Sequence, residues 1–393
     1  MSKLNKTKQL SIMIIALLFT FSCTKDLGLD EPNSFAHDNF VELAQIKDIA
    51  SSIYFPSKTK GDRTTIKHVN SIKEVKNKNN KTSFYVINYD EGGFVILSAD
   101  RRTQPVLGFS VSNRFTIEES SYPDGLEYWM NDAKARISNI QKSNIKQSDN
   151  EKLAWRLVRE AIINEISSSK NEPIEDCYEH TVTYIKGPLL NTTWYQTGSF
   201  NDNLPYITCN GSSFQVYAGC VPIAMAQVMK YYQYPTNYNW SSMPSSYATS
   251  TTASFIKDIH DAIGNVYSGE PSYSCSGTGV SSSANMGNVL KTQFNYSSAN
   301  KANYNYITVK SNINSNRPVM LSGNNGTSGH MWVCDGYRST QYFFDDCSGI
   351  SYLHLHMNWG WGGNYDGWFS YTNFNPANTN FNQDKKMIYN IIP

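Results

Sequence analysis

The spacing of apolar residues predicts a mixture of helices and strands in the first part of the chain. A hairpin signal at Glu91-Gly92-Gly93 lies between two β-rich runs, and a third such run follows at Pro105 to Val111. Helical spacing is found in three segments: Asp38 to Tyr54, Gly125 to Gln141 and Asn150 to Ser168. This pattern predicts a small α+β domain over residues 37–170.

The periodic pattern lapses after this domain, between Ser167 and Pro188. The stretch SSSKNEPIEDCYEHTVTYIKGP is rich in serine, proline and charge, so we predict a protease-accessible linker at residues 171–186. The composition then shifts to Tyr, Asn, Gly and Trp with few helical patterns, which predicts a second domain over residues 187–393.

One cysteine of the second domain stands at the start of a predicted helix, in YAGCVPIAMAQVMKYYQYP. Pro222 is tolerated only in the first turn of a helix, and Pro235 closes the apolar run that follows. The helix therefore begins at Cys220. Free backbone N–H groups at a helix N-terminus stabilise a thiolate, so Cys220 is a candidate nucleophile.

The N-terminus has the layout of a secretory signal. An apolar run from Ile12 to Phe19 is too short to span a bilayer comfortably, and it follows three lysines (Lys3, Lys6 and Lys8). Ser22 before Cys23 resembles a bacterial lipobox, which predicts a signal peptide at residues 1–22, a lipidated Cys23 and a tether at residues 23–36. An ordinary signal peptide and a lone anchor helix are the alternatives.

Composition excludes several classes of protein. The chain has 34 Lys plus Arg and 33 Asp plus Glu, so no excess charge indicates nucleic acid as a partner. Its seven cysteines include no CxxC and no Cys/His cluster with metal spacing, so we expect neither a metal nor a cofactor. Without Cys23 and Cys220, five cysteines remain, and this odd number leaves disulfide pairing open.

A thiolate nucleophile needs a base, and His330 is the strongest candidate for it. In GTSGHMWVCDGY, a glycine-containing loop runs into an alternating strand, which would present His330 at the edge of a cleft. The rivals are His260, inside a helical stretch, and His354 and His356 in SYLHLHMNWGWGG.

Further groups must stabilise the oxyanion and hold the base. Gln196, in NTTWYQTGSFN, offers a side-chain amide that could pair with the Cys220 backbone N–H. Asn358 beside Trp359 offers a carboxamide next to a shielding indole, to orient the histidine. Three aspartates are competing acceptors: Asp335, Asp345 and Asp346.

Taken together, these segments resemble a known family. AGCVPIAMAQVMKYY, GHMWVCDGY and HMNWGWGG, in that order after a Trp-x-Gln, are similar to the streptopain family of secreted cysteine peptidases in the papain-like superfamily. GGFVILSADRRTQPVLGFS in the first domain resembles the inhibitory propeptide of that family. The resemblance implies a two-lobed, papain-like α+β catalytic domain preceded by a small α+β propeptide domain.

The resemblance also implies roles for individual residues. Cys220 would be the nucleophile, His330 the general base and Gln196 an oxyanion donor, with Asn358 and Trp359 as active-site support. The expected contacts of the substrate are Gly360, Trp361, Gly362 and Gly363, in a loop that resembles the family's mobile loop, together with Ser322 and Gly329.

The implied function is that of a secreted or surface-anchored cysteine endopeptidase made as a zymogen. Its partners would be protein or peptide substrates, its own propeptide as inhibitor, and a membrane reached through the lipid anchor. Two alternatives use the same sequence features: another Cys-His acyl transferase or cell-wall amidase, or an inactive binding lipoprotein.

Overall fold

A computed structural model describes residues 39–57, 64–117, 122–163, 177–324, 329–371 and 385–393. Residues Asn39–Pro393 form one compact unit. The helices among the described residues are α1 (Leu43–Ala50), α2 (Asp124–Gln141), α3 (Asp149–Arg156), α4 (Cys220–Tyr232), α5 (Ser250–Val266), α6 (Met286–Gln293) and α7 (Tyr306–Asn314). Short 3₁₀ turns lie at Val158–Glu160 and Trp240–Ser242. In this part of the chain, no helix is both long and apolar enough to cross a membrane.

Strands occur both before and after residues 164–176, which lie outside the described residues. The first six are β1 (Tyr54–Pro56), β2 (Thr64–Ile66), β3 (Val69–Lys76), β4 (Thr82–Tyr89), β5 (Phe94–Ser98) and β6 (Val106–Ser110). The others are β7 (His180–Lys186), β8 (Tyr206–Cys209), β9 (Ser212–Gln215), β10 (Ser272–Ser274), β11 (Gly277–Gly279), β12 (Ser298–Asn303), β13 (Val319–Asn324), β14 (Gly329–Phe343), β15 (Gly349–Asn358), β16 (Gly367–Ser370) and β17 (Lys386–Ile392).

One antiparallel sheet runs through both parts of the chain. Its order over the described residues is β12-β17-β13-β14-β15-β16-β6-β5-β4-β3, with β7 added to β14. The two parts join where β16 pairs with β6, through Trp368 opposite Phe109 and Phe369 opposite Gly108. A single sheet therefore connects the N-terminal region to the region that carries Cys220.

Apolar side chains pack on both faces of this sheet. On one face, a cluster around α4 includes Cys220, Ile223 and Val333. On the other, Leu126 and Trp129 of α2 pack against Trp332, which lies on β14. Because burying apolar surface is the main favourable term in folding, α2 is a structural part of the sheet's second face.

Most elements predicted for the first region are confirmed, but the first predicted helix, Asp38 to Tyr54, is too long, because α1 spans only Leu43–Ala50 and Tyr54 begins β1. β4 and β5 form the expected hairpin, and Gly92 and Gly93 take φ values of +78° and +99° in its turn. Helix α2 begins one residue before the prediction and ends at Gln141 as predicted. The third predicted helix is shorter than expected, because α3 ends at Arg156 and the chain continues as a 3₁₀ turn. The end of that prediction, residues 164–168, lies outside the described residues.

The predicted linker at residues 171–186 is wrong in its second half. His180–Lys186 form β7, which pairs with β14 from His180 opposite Phe343 to Lys186 opposite Tyr337. Its sequence HTVTYIK is rich in β-branched side chains, and Thr181 and Thr183 are buried. A disulfide between Cys177 and Cys347 fixes the start of this segment. The region after it also carries four helices, α4 to α7, which is more helix than its composition predicted.

A second disulfide joins two hairpins near the start of α4. It links Cys209, at the end of β8, to Cys275, between β10 and β11. Four of the five cysteines left open by the sequence are therefore paired, and Cys334 is a buried free thiol. The predicted signal peptide, Cys23 and tether lie outside the described residues.

Candidate active site

Cys220 is the first residue of α4, as the sequence predicts. The preceding Gly219 has a φ of +83°, and a Cβ there would lie 3.0 Å from Thr278 Cγ2, so the chain needs glycine at this turn. The cysteine is 9% exposed and forms no disulfide. Free N–H groups at the helix start favour its thiolate form.

The other free thiol is unsuited to nucleophilic chemistry. Cys334 is fully buried in β14, and burial raises the pKa of its thiol far above the ordinary value, with Asp335 adding to the rise. Because only the thiolate is the nucleophile, Cys334 stays inert while Cys220 has the reactive setting.

The Trp-x-Gln segment lies directly against the start of α4. The backbone N–H of Ala218 donates to the Gln196 carbonyl at 2.8 Å, two residues before Cys220. Trp194 is fully buried, and its backbone N–H donates to the side chain of Gln227 in α4 at 3.2 Å. The structure thus brings Gln196 and Cys220 into neighbouring backbone positions.

His330 is the second residue of β14, at the first end of the strand. Its Nε2 lies 3.4 Å from the carbonyl oxygen of Trp359, and its ring stacks on Trp332 with 6.1 Å between centroids and 15° between planes. Only 4% of the residue is exposed.

The pleat of β14 decides which face His330 occupies. Met331 and Val333 pack with the cluster around α4, whereas Trp332 and Cys334 pack with α2. Side chains alternate along a strand, so His330 shares the α2 face with Trp332. This placement agrees with the stacking of its ring on that indole.

The first turn of α2 covers this histidine. A Cβ built on Gly125 would lie 2.8 Å from His330 Cδ2, 2.7 Å from Trp332 Cε3 and 3.0 Å from Trp359 Cζ3. No side chain larger than hydrogen fits without a shift. The backbone of the N-terminal region therefore rests directly on the rings around His330.

Asn358 has other partners than the histidine it was expected to orient. Its Nδ2 donates to the Thr192 carbonyl at 2.7 Å, and its Oδ1 accepts from Gln227 Nε2 at 3.0 Å and from Gly360 N–H at 3.1 Å. In the ladder Asn358 lies opposite Val333, which packs on the α4 side. The ring hydrogen bond of His330 goes instead to the Trp359 carbonyl.

Trp359 is fully buried between these groups. Its indole N–H donates to the Tyr365 carbonyl at 3.1 Å, and its backbone N–H donates to Asp366 Oδ1 at 2.9 Å. Hydrogen bonds therefore hold both the indole and the backbone of Trp359, which fixes the position of the carbonyl that contacts His330.

The glycine loop after Trp359 packs on the helix and on the Trp-x-Gln segment. Gly360, Gly362 and Gly363 have φ values of +71°, +68° and +81°, which favour glycine. The N–H of Gly362 donates to the Trp194 carbonyl at 3.1 Å. Trp361 meets Tyr195 edge to face at 6.0 Å.

The two remaining predicted substrate contacts lie beside His330. Ser322 stands opposite Met331 in the β13–β14 ladder, and Gly329 is the first residue of β14. Among the described residues, no group of three or more His, Cys, Asp or Glu side chains could hold a metal ion.

The rival histidines are engaged elsewhere. His260 Nε2 donates to the Ala218 carbonyl at 2.8 Å, and burial lowers its pKa to about 4. His354 Nε2 lies 3.0 Å from the Val106 carbonyl, and burial lowers its pKa to about 4 as well. Both rings are therefore neutral at pH 7, and His260 supports the turn before Cys220.

The third rival, His356, belongs to a buried carboxylate cluster. Its Nδ1 lies 2.6 Å from Asp335 Oδ1; burial lowers the histidine's pKa, but Asp335 outweighs burial and raises it above the ordinary value. Burial raises the pKa of Asp366 to about 7, and the negative charge of Asp335 adds to the rise. The hydrogen bond from the Trp359 N–H and the nearby His356 lower this pKa, but by less. Of the aspartates proposed to hold His330, Asp335 pairs with His356 and Asp346 accepts from Ser348 at 2.8 Å.

Sequence reasoning missed two residues that organise the site. Gln227 holds Trp194 and Asn358 from inside α4, and Asp366 holds the backbone of Trp359. A glutamine buried within the otherwise apolar run IAMAQVM was the available signal for Gln227. The sequence carries no signal for Asp366, because this residue is buried only once β14 and β15 have come together in the fold.

Comparisons with known proteins match both regions of the chain. A profile of the Peptidase C10 family matches residues 194–238 and 236–369. A profile of the Spi protease inhibitor matches residues 39–137. The two profiles thus fall on the region of Cys220 and on the region of α2.

Two curated relatives are bacterial. The thiol protease/hemagglutinin PrtT of Porphyromonas gingivalis is 26% identical over 333 residues, which cover 75% of this chain and 34% of that protein. Streptopain of Streptococcus pyogenes is 24% identical over 348 residues, which cover 75% of each chain. The chain thus spans about a third of the first relative and three quarters of the second.

A solved structure shares the fold. A mutant fragment of Prevotella intermedia prointerpain A matches with a TM-score of 0.54 at 21% identity, covering 82% of this chain and 99% of that one. The mixed helix and sheet architecture and the papain-like fold class predicted from the sequence are thereby confirmed.

The matches over both regions define a cysteine endopeptidase made as a zymogen, with an N-terminal propeptide inhibitor. Within that class, the region of Cys220 matches the Peptidase C10 family over residues 194–369.

Proposed function

We propose that this endopeptidase cleaves peptide bonds through Cys220 and His330. The Cys220 thiolate attacks the peptide carbonyl, and Gln196 and the Cys220 N–H stabilise the oxyanion of the tetrahedral intermediate. His330 gives its proton to the leaving amine as the C–N bond breaks. Water then attacks the thioester, His330 takes its proton, and the acid product leaves the regenerated thiolate. Asn358 and Trp359 support the site, with Trp359 orienting His330.

The observation that supports a zymogen in this form is the contact of Gly125 with His330. Helix α2 rests on the base, and on two indoles beside it, from the face opposite α4. A histidine enclosed in this way cannot accept the proton of a substrate-bound Cys220. Release of α2 would free His330 to serve Cys220, so inhibition acts through the base.

We place the domain boundary between Ile163 and Cys177. Arg338 of β14 donates to the Ala161 and Ile163 carbonyls at 3.0 and 2.7 Å, which fixes the end of the N-terminal region. Cys177 is bonded to Cys347 in the region of Cys220. The propeptide domain thus covers residues 37–163 and the catalytic domain begins with the segment of Cys177.

Thiol labelling tests the mechanism. Matured wild type should react with an epoxide thiol inhibitor and lose casein hydrolysis, and Cys220→Ala should show neither labelling nor hydrolysis. Cys334→Ala, which removes the buried thiol, should label like wild type. Labelling that persists in Cys220→Ala and disappears in Cys334→Ala would overturn the assignment.

The N-terminal sequence supports export and anchoring. The signal-like run before Ser22-Cys23 supports the proposal that Cys23 is lipidated and that the enzyme lies at the cell envelope, or free outside the cell after propeptide removal. Cys23→Ser should abolish lipid labelling and release the precursor to the soluble fraction. Membrane association that persists would indicate an uncleaved anchor or a protein partner.

A further inference from the structure

Two buried amide side chains near the Trp-x-Gln segment bond to each other. Gln227 of α4 and Asn358 at the end of β15 are 0% and 4% exposed. Gln227 Nε2 donates to Asn358 Oδ1 at 3.0 Å, and Asn358 Nδ2 donates back to Gln227 Oε1 at 3.2 Å. The two side chains therefore form a closed pair with two hydrogen bonds. Because a buried polar group is costly without a partner, each amide holds the other in place.

Backbone groups fix which atom of each amide is the oxygen. Gln227 Oε1 accepts from the Trp194 N–H at 3.2 Å, and Asn358 Oδ1 accepts from the Gly360 N–H at 3.1 Å. Asn358 Nδ2 donates to the Thr192 carbonyl at 2.7 Å. A backbone N–H can only donate and a carbonyl can only accept, so an exchange of O and N in either amide would oppose like groups.

Asn358 uses its whole hydrogen-bonding capacity in this network. A carboxamide offers two acceptor sites on its oxygen and two N–H donors. The oxygen of Asn358 accepts from Gln227 and Gly360, and its nitrogen donates to Gln227 and Thr192. These four bonds fill the capacity of the side chain. Its role therefore lies with the segments that it binds, and not with a histidine.

The amide pair joins the helix of the nucleophile to the segment of the oxyanion donor. Gln227 follows Cys220 by seven residues, nearly two full turns, so both lie on one side of α4, about 10 Å apart along its axis. Trp194, which Gln227 holds, precedes Gln196 by two residues. The Ala218 N–H holds the Gln196 carbonyl at 2.8 Å. The segment is therefore bound to α4 and to the turn before it.

The same pair holds the glycine loop. Asn358 accepts from the Gly360 N–H, and the Gly362 N–H donates to the Trp194 carbonyl at 3.1 Å. Asn358 lies opposite Val333, which packs on the α4 face of the sheet, whereas α2 packs on the other face. Release of α2 therefore leaves this network in place in the matured enzyme.

We propose that Gln227 and Asn358 are positioning residues for the oxyanion donor Gln196. Their amide pair sets the distance of that donor from the nucleophile, and this inference rests on the function proposed above. Loss of either amide leaves the other one, and the Trp194 N–H, with unmet hydrogen bonds in a buried place, so the segment moves to satisfy them. Because a displacement of about 1 Å in an active site can lower the rate about 100-fold, a small shift is enough to reduce turnover.

A double-mutant cycle tests this proposal. Precursors of Gln227→Met, Gln196→Ala and the double variant are matured by immobilised wild type, which is then removed. Methionine has nearly the length of glutamine but no amide. We therefore expect Gln227→Met to lower kcat in peptide hydrolysis about 10- to 100-fold, with KM changed less than about threefold. Because Gln227 acts through Gln196, the double variant should have the kcat of Gln196→Ala within about threefold.

Further measurements separate positioning from a loss of structure and from a role at the histidine. Alkylation of Cys220 by iodoacetamide reports on the thiolate, and its pH profile should be that of wild type in Gln227→Met and in Asn358→Ala. The thermal unfolding midpoint shows whether each matured variant keeps its fold. Asn358→Ala breaks the pair from β15 and takes the place of Gln227→Met in the cycle if that variant does not fold. Gln293→Met, the same substitution at the exposed end of α6, should keep the wild-type kcat.

Three results would overturn the proposal. The first is a kcat within about twofold of wild type in both single variants of the pair. The second is a loss that multiplies in full with that of Gln196→Ala, as expected for independent sites. The third is a shifted alkylation profile in Asn358→Ala, which would assign this residue to the histidine. A matured wild type without hydrolysis, or a wild-type kcat in Gln196→Ala, would instead overturn the proposed function, and this inference with it.

Discussion

Single residues near Cys220 divide into those that touch the substrate and those that hold the site in place. Gln196 belongs to the first group in our mechanism, because its segment lies against the start of α4. Loss of one oxyanion donor costs about 10²–10³ in turnover. We therefore expect Gln196→Ala to lower kcat by that order in casein or peptide hydrolysis, while iodoacetamide still alkylates Cys220.

An exposed glutamine gives the matched control. Gln293→Ala, at the end of α6, should keep the wild-type kcat. A kcat of Gln196→Ala that falls by less than about threefold, far less than the loss of one oxyanion donor causes, would mean that another amide stabilises the oxyanion.

The buried Asp366 predicts a pH dependence of stability. Its pKa is raised to about 7 by burial, above the unfolded value of about 3.9. The folded protein therefore holds this proton more tightly, so the stabilisation is complete below about pH 4 and is lost as the pH rises through 7. His356 and Asp335 face the same carboxyl, and the Trp359 N–H donates to it.

Chemical denaturation of the inactive Cys220→Ala precursor between pH 5 and 8 measures this effect. Each pKa unit corresponds to about 1.4 kcal/mol, so the free energy of unfolding should fall over this range by about 2 kcal/mol more with Asp366 than with Asp366→Asn. Asp346→Asn, at an exposed turn, should keep the steep profile. Parallel profiles with and without Asp366 would contradict the prediction.

The residues found from sequence alone are those with a local signature. Pro222 marks the start of a helix, so Cys220 could be placed at its N-terminus before any contact was known. The hydrogen-bond partner of His330, the Trp359 carbonyl, could not be predicted in this way. It depends on the strand register that puts Asn358 opposite Val333 and on the face to which each side chain of β14 points.

Among the elements, α2 carries the inhibition in our proposal. An added methyl group at Gly125 would meet three rings at 2.7–3.0 Å, although alanine alone would favour the helix by about 0.5–1 kcal/mol. We expect Gly125→Ala to loosen the first turn of α2 and to speed conversion of the precursor severalfold, measured by its half-life on gels.

The control lies on the exposed side of the same helix. Asn139→Ala should convert at the wild-type rate. Slower conversion of Gly125→Ala than of wild type would show that the helix tightens on His330, contrary to the proposed release.

Sequence patterns predict the helices and hairpins that have a strong local signal, but not the strands that are recognisable only by their pairing with a distant strand. The end of α2 and the β4–β5 hairpin follow from helical spacing and a glycine turn. The strand β7 was assigned to a linker because its flanking serines and prolines dominate the composition, and only its pairing with β14 reveals it. The continuity of the sheet through β16 and β6 likewise has no sequence signal, because the paired residues are remote in the chain.

At the scale of the whole molecule, the disulfide and β7 determine where maturation can occur. β7 is paired along its length with β14, and backbone held in a ladder is a poor protease substrate. Cys177 is bonded to Cys347, and Arg338 holds the chain as far as Ile163. We therefore predict that cleavage falls between these two held ends, within residues 164–176, and not in the second half of the linker predicted from sequence.

Maturation of the full chain tests this last point. Wild type should convert to a form whose N-terminal residue lies within 164–177, while Cys220→Ala should persist as the full precursor because it lacks the nucleophile. A trace of active wild type should cut the mutant in the same stretch, since cleavage there requires an accessible chain and not the mutant's own thiol. N-terminal sequencing and intact mass identify the cut. A new N-terminus inside residues 180–186 would mean that β7 leaves β14 before cleavage, and that the catalytic domain starts later than the disulfide implies.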